Sequence, residues 1–145
     1  MSEEAGMNRG SVREHLTTRT REFALRKVRL YAALPKSTVA QVLGKQLLRA
    51  GTSVGAHYRE GTRSRSNAEF VSKLEGALQE LEESRYWLEL LEAERLVPEA
   101  ALTPLVREAG ELTAILVASV RTVKTRDKRG KGTPNRQRGT VSDKR

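Results

Sequence analysis

The chain has no cysteine, which excludes a disulfide framework, a thiolate metal site and a cysteine nucleophile. Aromatic residues are scarce, six in all with Trp87 the single tryptophan, whereas a β-sandwich would draw more heavily on aromatic and β-branched side chains. No apolar run is long enough to span a bilayer, and the opening MSEEAGMNRGSVREH lacks the apolar stretch of a signal peptide. There is no Gly-rich phosphate loop between a strand and a helix. With only two histidines, His15 and His57, no Ser–His–Asp set stands out either. What remains is one domain's length, 145 residues, with Leu, Val and Ala for a helical core. An ordinary cytoplasmic protein is expected.

The densest information lies between Gln46 and Ser66, QLLRAGTSVGAHYREGTRSRS. Gly51, Gly55 and Gly61 fall here with no proline and no polar turn run. Each Gly inside a helix costs roughly 1 kcal/mol relative to Ala, so their presence implies another backbone close by. Ala50, Gly51, Thr52, Ser53, Gly55 and Ala56 would form that narrow strip, and Arg59, Arg63 and Arg65 follow it.

Periodicity predicts four helices. Over 11–34, Val12, Leu16, Phe23, Leu30 and Leu34 recur at helical spacing, widened by Ala24, Val28 and Tyr31. Pro35 ends the run. Ser37 or Thr38 then caps a second helix reaching about Gly61, with Val39, Val42 or Leu43, Leu47, Ala50, Val54 and Tyr58 on its core side. Ser66-Asn67-Ala68-Glu69 has the form of a capping box before a third helix, whose stripe is Phe70, Leu74, Ala77, Leu78, Leu81, Leu88 and Leu91. Pro98 fits the first turn of a fourth, built on Leu102, Leu105, Val106, Ala109, Leu112, Leu116, Val120 and Val123. Short loops force antiparallel neighbours. The expected fold is therefore all-α, an up-down-up-down antiparallel four-helix bundle over 11–124. Flanking it are a flexible N-terminus over 1–10 and a disordered basic tail over 125–145, the latter too poor in apolar residues to offset its ordering entropy. Helix two has two usable faces, one more than a lone bundle needs, so self-association is expected.

Charge is segregated along the chain. Residues 9–65 carry +10 (13 basic, 3 acidic), residues 66–120 carry −7 (4 basic, 11 acidic) and residues 121–145 carry +8 (10 basic, 2 acidic). Pairing of basic with acidic helices would account for the first two segments and leave the last unpaired. Clustered Lys and Arg suit phosphate neutralisation without sequence readout. One candidate cluster is Arg59, Arg63 and Arg65, joined by Arg26, Lys27 and Arg29. The other is Arg121, Lys124, Arg126, Lys128, Arg129, Lys131, Arg136 and Arg138.

A second line on helix two, Gln46, Arg49, Ser53, His57 and Glu60, reads as a polar packing network. Arg49 and Glu60 lie three turns apart, so each would have to pair with another helix. His57 and Glu60 could share a metal, but a di-metal bundle repeats its Glu-x-x-His motif and this pattern occurs once, reversed. No metal and no cofactor are expected. Glu80, Glu82 and Glu83 read as a charged face, and Trp87 as core or subunit interface.

These residues carry a family resemblance. Leu34-Pro35, Gln46, Arg49, Thr52-Ser53-Val54-Gly55-Ala56, Tyr58-Arg59-Glu60-Gly61, Ser66, Glu69-Phe70, Lys73-Leu74, Glu80, Glu83 and Tyr86-Trp87-Leu88 resemble the small proteins encoded within bacterial large-subunit ribosomal RNA intervening sequences. They also resemble the related accessory variability protein of diversity-generating retroelements. The resemblance spans about residues 23–123, with His57 where the family usually has Asn. It implies a four-helix bundle, a barrel-shaped homopentamer and a non-enzymatic role associated with nucleic acid. The expected function is an oligomeric RNA- or DNA-binding accessory protein. The alternative is a scaffold that docks a protein such as a reverse transcriptase without touching nucleic acid.

Overall fold

The computed structural model of the chain describes residues 9–142, with side chains at 13 and 15–130. Four helices follow in order, α1 (Arg9–Ala33), α2 (Thr38–Thr62), α3 (Asn67–Ala93) and α4 (Glu99–Ser142). Each packs on its neighbour in the chain, and α4 returns to α1 to close the bundle. This is the antiparallel four-helix arrangement read from the sequence.

The boundaries have local causes. The Ser37 hydroxyl accepts from the Ala40 N–H at 3.3 Å and opens α2. Ser66 does the same for Glu69 at 3.1 Å. The Glu69 carboxylate, however, turns back to the Arg65 N–H at 3.4 Å and not to that of Ser66, so the capping box closes one residue early. α3 ends in a Schellman motif: the Leu96 N–H reaches the Leu91 carbonyl and the Arg95 N–H reaches that of Glu92. Arg95 sits there at φ 57°, in the left-handed position that glycine usually fills. Before α4, the Pro98 carbonyl accepts from Ala101 and Leu102.

The core is two apolar clusters stacked along the bundle axis. One gathers Leu16, Phe23, Val54, Tyr58, Leu74, Leu81, Leu112 and Leu116. The other gathers Leu34, Leu47, Leu88, Leu91, Leu102 and Leu105. Between them every helix contributes a polar or small residue: Lys27 from α1, Gly51 from α2, Ser84 from α3 and Glu108 from α4, all buried. The Ser84 hydroxyl donates to the Glu80 carbonyl at 2.8 Å. Lys27 Nζ and Glu108 Oε1 have no hydrogen-bond partner among the described residues. Gly51 makes room for the Lys27 stem, since a Cβ there would lie 2.8 Å from Lys27 Cγ.

Three features bear on these expectations. Gly51 and Gly55 of the small-residue strip meet Lys27 and Thr20 inside the chain, and Gly44 before it meets Leu34 and Tyr31. Thr52 and Ala56 of the same strip are exposed. Val39 and Val28, assigned to core stripes, are exposed at 53% and 43%, and of the alternatives Val42 and Leu43 it is Leu43 that packs on the core while Val42 is exposed at 55%. Turning Gly44 and Gly51 toward α1 brings Ala40 and Leu47 into the core and carries Val39 and Val42 outward. Finally, the α4 backbone is helical to Ser142, past residue 125 where the tail begins. Over 121–129 Arg and Lys are good helix formers, and a helix already nucleated extends without a new nucleus. Over 121–130 only Val123 and Asp127 are even half-buried, so this extension leaves the core behind.

Candidate nucleic-acid interface

The antiparallel order places the start of α1, the α2–α3 turn and the distal part of α4 at one end of the bundle. Gly55 against Thr20, Gly61 against Leu74 and the Lys124–Glu75 ion pair at 3.1 Å fix that register. Two basic clusters that are far apart in the chain thereby share an end.

Arg59 closes the last turn of α2, and Arg63 is its C-cap, its N–H reaching the Glu60 and Gly61 carbonyls. Positive side chains suit a helix C-terminus, where the macrodipole is negative. Arg65 follows in the turn. All three are exposed, and none of their guanidinium groups has a carboxylate partner among the described residues. From α4, Arg121, Lys124, Arg126, Lys128 and Arg129 are likewise exposed. Lys131, Arg136 and Arg138 continue the helical backbone, and their side chains lie outside the described residues.

The α1 contribution does not join this group. Lys27 is fully buried and cannot meet a phosphate; its Nζ lies 3.2 Å from the centroid of the Phe23 ring. Burial pulls its pKa down to about 7, with Glu108 opposing and Arg26 adding to the fall. Arg26 is committed to Glu108 at 3.0 Å. Arg29 is exposed but lies on the far side of the Gly51 level, itself about 12 Å along the axis from Arg59 at 1.5 Å per residue. The sequence did hold a sign of the buried lysine: Lys27 sits four residues after Phe23 and seven before Leu34, on the buried stripe.

The polar line on α2 faces α3. Arg49 donates to Glu83, to Glu80 at 3.4 Å and to Gln46 at 3.4 Å, while Ser53 donates to the Arg49 carbonyl at 2.7 Å. Hydrogen bonding to Glu83 raises the Arg49 pKa; the same bond and the Trp87 N–H, 3.1 Å away, hold the Glu83 carboxyl down. Glu60 pairs with Lys73 at 2.9 Å, a contact that lowers the carboxyl and raises the ammonium. His57 Nδ1 lies 3.9 Å from Glu60 without a hydrogen bond. These pairs stitch α2 to α3 along a half-exposed seam and not in a buried layer. Among the described residues no group of three or more His, Asp or Glu could hold a metal ion, and no helix is long and apolar enough to cross a membrane.

Residues 15–118 match the model of the 23S rRNA-intervening sequence protein family. The chain belongs to that family. A crystal structure of a protein of unknown function from the S23 ribosomal protein family of Bacteroides thetaiotaomicron is 34% identical, with a TM-score of 0.71. The alignment covers 75% of this chain and 97% of that one. No similar sequence is found among curated proteins. The intervening-sequence match ends at residue 118, so the basic extension of α4 lies beyond the part shared with the family model.

Proposed function

We propose that this intervening-sequence family member is a non-enzymatic accessory protein that binds RNA or DNA through the basic end of its bundle. The observation that carries the reading is the convergence of Arg59, Arg63 and Arg65, exposed and with no ion pair to their guanidinium groups among the described residues, with the exposed basic residues of distal α4. Acidic charge is concentrated in α3 and the first part of α4, and part of it is already used by Arg19, Arg26, Arg49 and Lys124. Such a surface neutralises phosphates and reads no sequence. The family name's link to ribosomal RNA makes structured RNA the first substrate to try.

Self-association, as a pentamer by resemblance, would repeat the basic end on each subunit and add weak contacts by multivalency. The exposed Val39 and Val42 of α2 offer an apolar surface for it. A protein partner such as a reverse transcriptase is the competing reading. Fluorescence-anisotropy titration of full-length protein with a structured RNA, a single strand and a DNA duplex at low salt decides between them. Binding that weakens on every substrate when Arg59, Arg63 and Arg65 are changed together to Ala supports the proposal. No binding to any of the three overturns it.

A further inference from the structure

At the basic end the bundle opens into a cleft of about 820 Å³ between the start of α1, the α2–α3 turn and distal α4. That is within the roughly 300–1,000 Å³ of small-molecule sites. Its floor is apolar and aromatic: Tyr58 is buried and Phe70 half-buried, both continuous with the core. Its rim carries Arg13 from α1, Arg65 from the turn and Arg126 from α4, and among the described residues no acidic side chain lines it. Two smaller cavities differ. One includes Glu75 and the other Glu22, Glu108 and Glu111. The large cleft, unlike them, combines ring-bearing walls with uncompensated positive charge.

We propose that this cleft takes an unstacked nucleobase of a single strand, with the adjoining phosphates on Arg13, Arg65 and Arg126. The inference rests on the nucleic-acid reading above and adds where, and in what form, the strand is held. A phosphate alone gains nothing from an apolar floor, and a purely apolar ligand gains nothing from three arginines. A base flanked by phosphates uses both. The three arginines come from three separate segments, so they surround the mouth and can meet the backbone on either side of an inserted base. Asn67 lines the same cleft, and its amide offers both a donor and an acceptor to a base edge. A duplex keeps its bases stacked and paired, so the cleft distinguishes single strands and loops from continuous helix.

Two variants separate base insertion from charge. Ala114 and Ala118 are exposed and line the cleft from α4. Changing both to Leu narrows it over the aromatic floor while leaving every arginine in place, at positions where Leu suits a helix. Phe70→Leu keeps the apolar volume and removes the stacking face. The probe is a short single-stranded oligonucleotide carrying one 2-aminopurine, compared with a hairpin duplex of the same charge. Wild type should quench the 2-aminopurine on binding. Both variants should lose the quench and bind the single strand roughly 5- to 100-fold more weakly, with duplex affinity unchanged. Wild-type affinity and quench in both variants overturn the inference while leaving the phosphate-binding function standing, and assign the cleft to a protein partner. Equal weakening on single strand and duplex also overturns it. Failure of the wild type to bind either probe at low salt removes the nucleic-acid reading and this inference together.

Discussion

Replacing Lys27 by Met should make the bundle's stability less dependent on pH between 7 and 9. Lys27 is fully buried between the two core clusters, its Nζ without a hydrogen bond and over the Phe23 ring, with Arg26 and Glu108 the charges that act on it. Burial brings its pKa from 10.5 to about 7. In the unfolded chain the amine holds its proton up to about 10.5. Between those values the unfolded state binds more protons, so stability rises with pH. Below 7 both states are protonated and the penalty is constant. At about 1.4 kcal/mol per pH unit, the gain from pH 7 to 9 is about 2 kcal/mol, less than two full units because the folded amine is half-protonated at the start. Met fills the same stem and carries no charge, and Glu108 keeps its ion pair with Arg26. Urea denaturation followed by circular dichroism at pH 7 and pH 9 reads the effect as a difference of differences, in which groups shared by both proteins cancel. The advantage of Lys27→Met over wild type should shrink by about 2 kcal/mol on raising the pH. An advantage that is the same at both pH values refutes the argument, and would mean that contact with Phe23 and Glu108 keeps the ammonium charged in the fold.

Other substitutions test the packing. Gly44→Ala would place a Cβ 2.5 Å from Leu34 Cδ1 and 2.8 Å from Tyr31 Cδ2, so it should destabilise by about 1–3 kcal/mol in the same assay. Gly110→Ala meets nothing within 4 Å and should stabilise by about 1 kcal/mol through helix propensity alone. Arg95→Gly relieves the left-handed backbone at φ 57° and should raise the melting temperature by a few degrees, for about 1 kcal/mol. Deleting residues 125–145 should leave the melting temperature unchanged, since the last buried core residue of α4 is Val120. Multi-angle light scattering of Val39→Lys/Val42→Lys against wild type checks self-association: wild type should be oligomeric and the variant smaller.

The helices were legible because their ends carry local chemistry that does not depend on tertiary contacts. Pro35, Ser37, Ser66 and Pro98 mark termini within a residue or two of where they fall. Rotation about each axis was less so. Val39 and Val42 have the spacing of a core stripe, but the glycines of α2 set which side meets α1, and glycine is invisible to a hydrophobicity pattern. Lys27 was misplaced for the converse reason. A lysine ordinarily marks a solvated face, and only the glycine opposite allows its stem inside. Arg59, Arg63, Arg65 and the basic residues of α4 were readable, but Arg13 and the assembly were not. Arg13, Arg65 and Arg126 meet because antiparallel order returns α1, the turn and α4 to one end, and the aromatic floor between them depends on how Tyr58 and Phe70 pack.

The central claim, that the basic end of the bundle binds nucleic acid through phosphates, is tested most directly by the salt dependence of affinity. Anisotropy titrations with one structured RNA between about 50 and 200 mM salt should give a straight, steep line of log K against log salt, with a slope near −0.9 per neutralised phosphate for duplex regions and about −0.7 for single strands. Changing Arg59, Arg63 and Arg65 together to Ala should flatten that slope by about one unit for each phosphate no longer neutralised, and deleting 125–145 should flatten it further. A slope identical in all three proteins, or no measurable affinity even at the lowest salt, contradicts the account.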